Sequence, residues 1–224
     1  MKKTISLFLV LALALSLAAC GGQTAQSPAP TPTAVPESPA AEAQYPVTIP
    51  SYNENGETYT QTFDQCPERV VSISQANTEL LLALGLRDKI IATAHRFSPV
   101  YEPLAEEYNS IPFIAEKGYP AKEVVLDQEP DMIVGWGSLF AEDALGPVSE
   151  WNVRGVGTYL MNNTVSGLGN RTVEFLYDDI ETLGQIFDVE DAAQAMIDDM
   201  KTRIAAIGEK VSALPDEQRV RVVT

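Results

Sequence analysis

The spacing of apolar positions changes several times along this chain, and each change predicts a different element. Behind Lys2 and Lys3 the first stretch is almost continuously apolar and ends in small residues, LAAC at Leu17–Cys20. From Gly21 to about Gln44 large apolar side chains nearly vanish in favour of Pro, Ala, Thr, Ser and Gln. Such a segment cannot bury enough surface to offset its ordering entropy, so it predicts a tether. VTIPSYNENGETYTQTF, from Val47 to Phe63, reads as two extended segments around Asn53–Gly56, where Asn and Gly supply the turn conformation of a hairpin. This hairpin is expected to decorate an edge of the domain that follows.

From Arg69 the pattern alternates between short β-branched runs and helical spacing. VVSIS (Val70–Ser74), KIIATA (Lys89–Ala94), IPFIA (Ile111–Ala115), Met132–Val134 and GTYLM (Gly157–Met161) predict strands. Between the first two, Asn77 or a near neighbour is expected to cap a helix that runs to Leu84 and ends at Gly85. Helices are also predicted over Val100–Tyr108, before Pro130, and over Val173–Phe187. Strands and helices alternating at these lengths imply an α/β fold, an open parallel sheet lobe with helices on both faces.

Ala192, Ala193, Met196, Ile197, Met200, Ile204, Ile207 and Val211 then recur at steps of three and four, which predicts one long helix. At 1.5 Å per residue it spans about 30 Å or more, enough to connect two lobes. Pro215 stops it, and RVRVV (Arg219–Val223) predicts a new strand, either the start of a second, truncated α/β lobe or a further strand of the first sheet. The expected boundaries are 1–19, 20–45 for the tether, 46–171 for the lobe with its hairpin at 46–66, 172–215 for the helical segment, and 216–224.

Composition narrows the chemistry. The formal charge is −16, and loss of Met1–Ala19 with its two lysines would make it −18. Such an acidic domain is a poor candidate for nucleic acid, whose phosphates call for clustered Lys and Arg, and no such partner is expected. The opening segment has the layout of an export signal, and LAAC resembles the lipobox of bacterial lipoproteins. That resemblance implies cleavage before Cys20, lipid attachment to Cys20, and an extracytoplasmic location at a cell membrane, on a Gram-positive surface or in a periplasm. Cys66 is the other cysteine; with no CxxC or Cys/His zinc spacing it reads as a small buried hydrophobe.

PERVVSISQANTELLLALGLRDKIIATA (Pro67–Ala94) and EVVLDQEPDMIVGW (Glu123–Trp136) resemble the amino-terminal lobe of a known family. These are the substrate-binding proteins of ATP-binding-cassette importers for iron-siderophore, haem and cobalamin complexes. The order and spacing of the pieces carry the resemblance over about 67–224. Gln128-Glu129 departs from the family's Leu-Lys before Pro-Asp. The resemblance implies ligand capture between two lobes joined by the long, rigid helix, as a monomer, followed by docking to a membrane permease and its ATPase. It implies no intrinsic cofactor; the cargo is a ferric siderophore, haem or corrinoid, with iron complexes preferred on family breadth.

Ligands of open parallel sheets lie outside the carboxyl ends of the strands, which selects loops. The candidates there are Gln75 and Asn77, then His95, Arg96 and neighbouring Phe97, then Glu116, Lys117 and Tyr119, then Trp136, and Asn162 with Asn163. Trp136 and Tyr119 offer flat apolar faces with polar tips. Arg96 and Lys117 suit carboxylate, phosphate or catecholate groups. Trp136 reads equally as site or as packing, and the lone His95 as a hydrogen-bonded loop residue or a metal ligand. Glu79 is placed in its helix's first turn, where negative charge complements the amide ends by about 0.3–1 kcal/mol. The resemblance further implies that Glu79 is shown to arginines of the permease. No catalytic set, HExxH or GxxxxGK[ST] is present, so the chain is not read as an enzyme. The alternatives are a surface α/β enzyme or a sensor lipoprotein reusing the lobe.

Overall fold

The computed structural model describes residues 45–115, 118–215 and 218. The export signal, Cys20, the tether, Glu116, Lys117 and the expected strand at Arg219–Val223 lie outside the described residues.

The hairpin forms as expected, β1 (Val47–Tyr52) pairing antiparallel with β2 (Thr58–Phe63). The strands β3 (Val70–Ile73), β4 (Ile90–Ala94), β5 (Phe113–Ala115), β6 (Met132–Gly135) and β7 (Gly157–Leu160) make one parallel sheet. Their spatial order is β5-β4-β3-β6-β7. The chain winds outward from β3 in one direction and then crosses to β6 and winds the other way. A topological switch point therefore lies between β3 and β6, where loops diverge and leave a crevice.

Helices cover both faces. On β3, Val70 faces one apolar cluster while Val71 and Ile73 face the other; on β6, Met132 and Val134 oppose Ile133 in the same way. This is the two-residue alternation of a strand buried on both sides. One face is closed by α1 (Gln75–Ala83), α2 (Ala105–Asn109), α5 (Val173–Phe187) and α6 (Glu190–Ser212). The other is closed by α3 (Lys122–Leu126) and α4 (Val148–Asn152), whose Trp151 is fully buried.

Several expectations need correction. Helix α1 starts at Gln75, and its cap is Ser74, not Asn77; Asn77 sits inside the first turn with its amide turned to the Ile73 carbonyl at 3.2 Å. The predicted helix over Val100–Tyr108 divides into a 3-10 turn at Glu102–Leu104 and the short α2, because Pro103 fits only a first turn. The apolar stripe of α6 is covered only in part. Ala193 and Ile197 are buried against α5, where a side chain on Gly184 would meet Ala193 Cβ at 2.7 Å, whereas Ile204, Ile207 and Val211 are about half exposed.

The hairpin lies against β7, an edge strand with an unpaired backbone side. Gln61 Nε2 donates to the Thr158 carbonyl at 2.8 Å, and its Oε1 accepts from the Thr158 amide at 2.9 Å. A side-chain amide thus substitutes for one step of a missing ladder, which removes an edge hazard.

Candidate functional site

The crevice is built at the carboxyl ends of β3, β4 and β6. β3 leaves the sheet through Ser74, at φ 119 and ψ 135, and its amide donates to the Ala94 carbonyl at 3.1 Å. Thr78 then pins α1 from below: its hydroxyl reaches Ser72 Oγ at 2.9 Å and Thr93 Oγ1 at 2.8 Å. All three hydroxyls are fully buried, so they hold the helix start rigidly against β3 and β4.

β4 gives way to His95, which adopts φ 60 and turns its imidazole toward three other rings. Ring centroids lie 5.7 Å away for Phe97, 5.0 Å for Tyr119 and 5.8 Å for Trp136, the last edge-on at 78°. Phe97 and Trp136 are 6.3 Å apart, which closes the group into a cup. Phe97 is 56% exposed and Tyr119 39%, so conjugated faces remain open to solvent. Such separations and tilts are those of favourable aromatic pairs. Trp136 packs on both apolar clusters while standing nearly perpendicular to the His95 ring, so it is packing and cup wall at once. His95 Nδ1 is buried and has no hydrogen-bond partner among the described residues. Arg96 stacks its guanidinium over Phe113, 5.0 Å from the ring centroid, at the β5 side of the cup.

Gln75 and Asn77 take different places from the cup residues. Gln75 is 2% exposed, and its Oε1 accepts from the Phe97 amide at 3.2 Å, the Ser98 amide at 3.0 Å and Ser98 Oγ at 3.2 Å. Its Nε2 donates to Glu79 Oε1 at 2.8 Å and to the Pro99 carbonyl at 3.2 Å. It therefore ties down the loop that carries Phe97. Asn77, 3% exposed, anchors the first turn of α1.

Glu79 is likewise displaced from its expected setting. Because α1 begins at Gln75, its first turn holds no acidic residue, and Glu79 lies one turn deeper and half buried. Its position is explained by hydrogen bonds rather than by the helix dipole: Oε1 accepts from Gln75 Nε2 and, at 3.2 Å, from the Tyr101 amide.

At the far end of the sheet, Asn163 braces its loop by exchanging hydrogen bonds with the Thr172 backbone, both at 3.0 Å. Beneath it lies a network that sequence reasoning did not find. Asp179 of α5 is 1% exposed; its Oδ1 accepts from Tyr159 Oη at 2.9 Å and the Asn162 amide at 3.0 Å. Oδ2 is buried without a partner among the described residues. Burial raises the carboxyl's pKa to about 7, against the two hydrogen bonds that lower it, and neighbouring Asp178 adds to the rise. Burial and the adjacent carboxyl also hold Tyr159 well above its ordinary value. An Asp on a helix carries no local signal of this role. Phe97 does carry a signal in the sequence, as an aromatic three residues past the end of β4.

Among the described residues, no group of three His, Cys, Asp or Glu is gathered to hold a metal ion. The sequence pattern of the family described as "Periplasmic binding protein" matches residues 70–224, most of the chain. The chain belongs to the periplasmic binding protein family. A Bacillus subtilis (strain 168) relative, an uncharacterized ABC transporter substrate-binding lipoprotein named YvrC, is 25% identical over 179 residues, 80% of this chain and 51% of the relative. A periplasmic binding protein from Veillonella parvula DSM 2008 superposes with TM-score 0.70 and 30% identity, over 76% of this chain and 54% of that one. The periplasmic haem binding protein HutB of Vibrio cholerae gives TM-score 0.51 and 26% identity, over 66% of this chain and 51% of its own. The chain spans about half the length of these relatives.

Proposed function

We propose that the chain is the amino-terminal lobe of an extracytoplasmic solute-binding protein, anchored through lipidated Cys20, that captures a metal chelate for an ATP-binding-cassette importer. The cargo is of the iron-siderophore, haem or cobalamin type. The observation that carries this reading is the cup of Phe97, Tyr119, Trp136 and His95 at the switch point. Its open conjugated faces suit the plane of a macrocycle or an aromatic chelate, and stacking needs no catalytic group. His95 Nδ1, without a partner among the described residues, leaves a donor atom in the cup wall, and Arg96 sits beside it for acidic ligand substituents. Support for transport comes from the substrate-binding lipoprotein of Bacillus subtilis, and support for an iron macrocycle from the haem protein of Vibrio cholerae. Gln75 and Asn77 support the cup from beneath.

The test is a titration of the full-length protein with ferric siderophores, hemin and cobalamin, followed through Trp136 fluorescence. Saturable quenching at micromolar concentration or below by one class is expected; no binding by any would overturn the proposal. Docking is tested separately. Glu79→Gln keeps an oxygen for Gln75 and Tyr101 while removing the charge, so uptake through the importer should fall with ligand affinity unchanged. Undiminished uptake would remove Glu79 from the permease interface.

A further inference from the structure

Glu79 and the cup are parts of one hydrogen-bonded chain. Glu79 Oε1 holds Gln75 Nε2 at 2.8 Å and the Tyr101 amide at 3.2 Å, so one carboxylate oxygen orients both α1 and the loop after β4. Gln75 Oε1, on the other side of the same amide, holds the Phe97 and Ser98 amides at 3.2 and 3.0 Å. Phe97 in turn forms the exposed wall of the cup. The Gln75 amide is planar and 2% exposed, so rotating one end moves the other, and water cannot easily replace a lost partner. Of the two side chains that make the link, Gln75 is buried and Glu79 is the one partly open to solvent.

We infer that Gln75 is a positioning residue that couples Glu79 to the Phe97 wall of the cup, so that a cation drawing on the Glu79 carboxylate loosens residues 97–101 and opens the ligand site. The regulatory half of this inference rests on the docking role proposed for Glu79; the coupling itself does not. A guanidinium binds a carboxylate through both oxygens, in competition with the two donors that Oε1 now serves. Losing that acceptor leaves Gln75 held only through Pro99 and the loop itself. The loop amides at Phe97 and Ser98 then lose a fixed partner, and the Phe97 ring loses its place beside Trp136. Two sites that bias one loop are thermodynamically coupled in both directions. Ligand that stacks on Phe97 should therefore also favour the Glu79 arrangement of the closed loop.

The experiment is amide hydrogen exchange on the full-length protein, read residue by residue for the wild type, Glu79→Ala, Glu79→Gln and Gln75→Leu. In Glu79→Ala the Tyr101 amide loses its acceptor directly, so its faster exchange is uninformative about coupling. The diagnostic amides are Phe97 and Ser98, whose acceptor is Gln75. They are expected to exchange about 10-fold faster in Glu79→Ala, to approach the Gln75→Leu rates, and to return to wild-type protection in Glu79→Gln. Acceleration confined to Tyr101 would overturn the inference, and so would equal acceleration at the Val71 and Ile73 amides, which would mean a general loss of stability. Should Gln75→Leu fail to fold, the contrast between Glu79→Ala and Glu79→Gln decides alone. Unchanged uptake in Glu79→Gln would defeat docking while leaving these exchange rates as a measure of coupling.

Discussion

The Tyr159 hydroxyl donates to Asp179 Oδ1 over 2.9 Å in a place where neither residue is more than 4% exposed. This bond joins α5 to the end of β7, and the same oxygen receives the Asn162 amide, which begins the loop beyond the strand. A buried carboxyl that serves as acceptor on one oxygen only is best accommodated neutral, which accounts for its raised pKa.

A pH dependence follows from that shift. Folding raises the Asp179 pKa from an ordinary 3.8 to about 7, so the folded state holds a proton that the unfolded chain has released across that interval. Stability from this group is therefore full below the unfolded value, falls as pH rises toward about 7, and is flat above it. Asp179→Asn should remove this slope and raise stability at pH 8 by an amount on the order of a few kcal/mol. Urea denaturation at pH 5 and pH 8 measures it; an unchanged slope in the variant would show that Asp179 is not responsible.

The hairpin should be a stabilising part of the lobe. Gln61→Leu leaves the Thr158 amide and carbonyl without partners, at about 1–3 kcal/mol for each buried group. Gly56→Ala adds a Cβ about 2.1 Å from the Ser166 carbonyl oxygen at a residue with φ 80. That position costs a side chain about 1–2 kcal/mol before any clash. Both variants should unfold at lower temperature, which calorimetry reads; wild-type midpoints would mean the hairpin only rests on β7.

Trp151 should be the most costly single side chain to remove on its face of the sheet. It is fully buried, and its indole nitrogen donates to the Leu145 carbonyl at 3.0 Å. Trp151→Ala should cost about 3–5 kcal/mol through cavity formation, with a smaller loss for Trp151→Phe. Denaturant midpoints for the pair test the order, and equal losses would point to the hydrogen bond rather than the volume.

The cup predicts a graded loss of ligand binding. Trp136→Ala and Phe97→Ala in the full-length protein should each weaken binding of the ligand found by titration by about 10-fold, as removal of stacking surface does at binding sites. Calorimetric titration checks it, since it does not depend on Trp136 as reporter. Full affinity in both variants would place the ligand elsewhere.

Much of the architecture was already legible in the sequence. Runs such as VVSIS and KIIATA, and the three-and-four spacing after Ala192, locate strands and helices because burial on both faces or along one stripe leaves a periodic record. The strand-helix alternation then points to a parallel sheet, and a parallel sheet to its carboxyl-end loops. That reasoning singled out His95, Tyr119 and Trp136, whose rings the structure brings together, and Arg96, which stacks on Phe113. Periodicity is silent on side-chain direction in a loop, so Gln75 and Asn77 could not be told from cup residues.

What the sequence alone determined is the order of the strands and of the longer helices, together with the loops at the carboxyl ends of the strands, since these depend on local pattern; the short α4 left no such record. Tertiary structure decided the rest. It set Glu79 a turn deeper and bound it to Tyr101, drew Phe97 beside Trp136, buried Asp179 against Tyr159, and laid Gln61 along the β7 edge. Each of these is a contact between residues far apart in the chain or across a turn whose start depends on an anchor elsewhere. The physical reason is that a side chain's partner, and with it its charge state and exposure, is chosen by packing among distant segments, which no local spacing encodes.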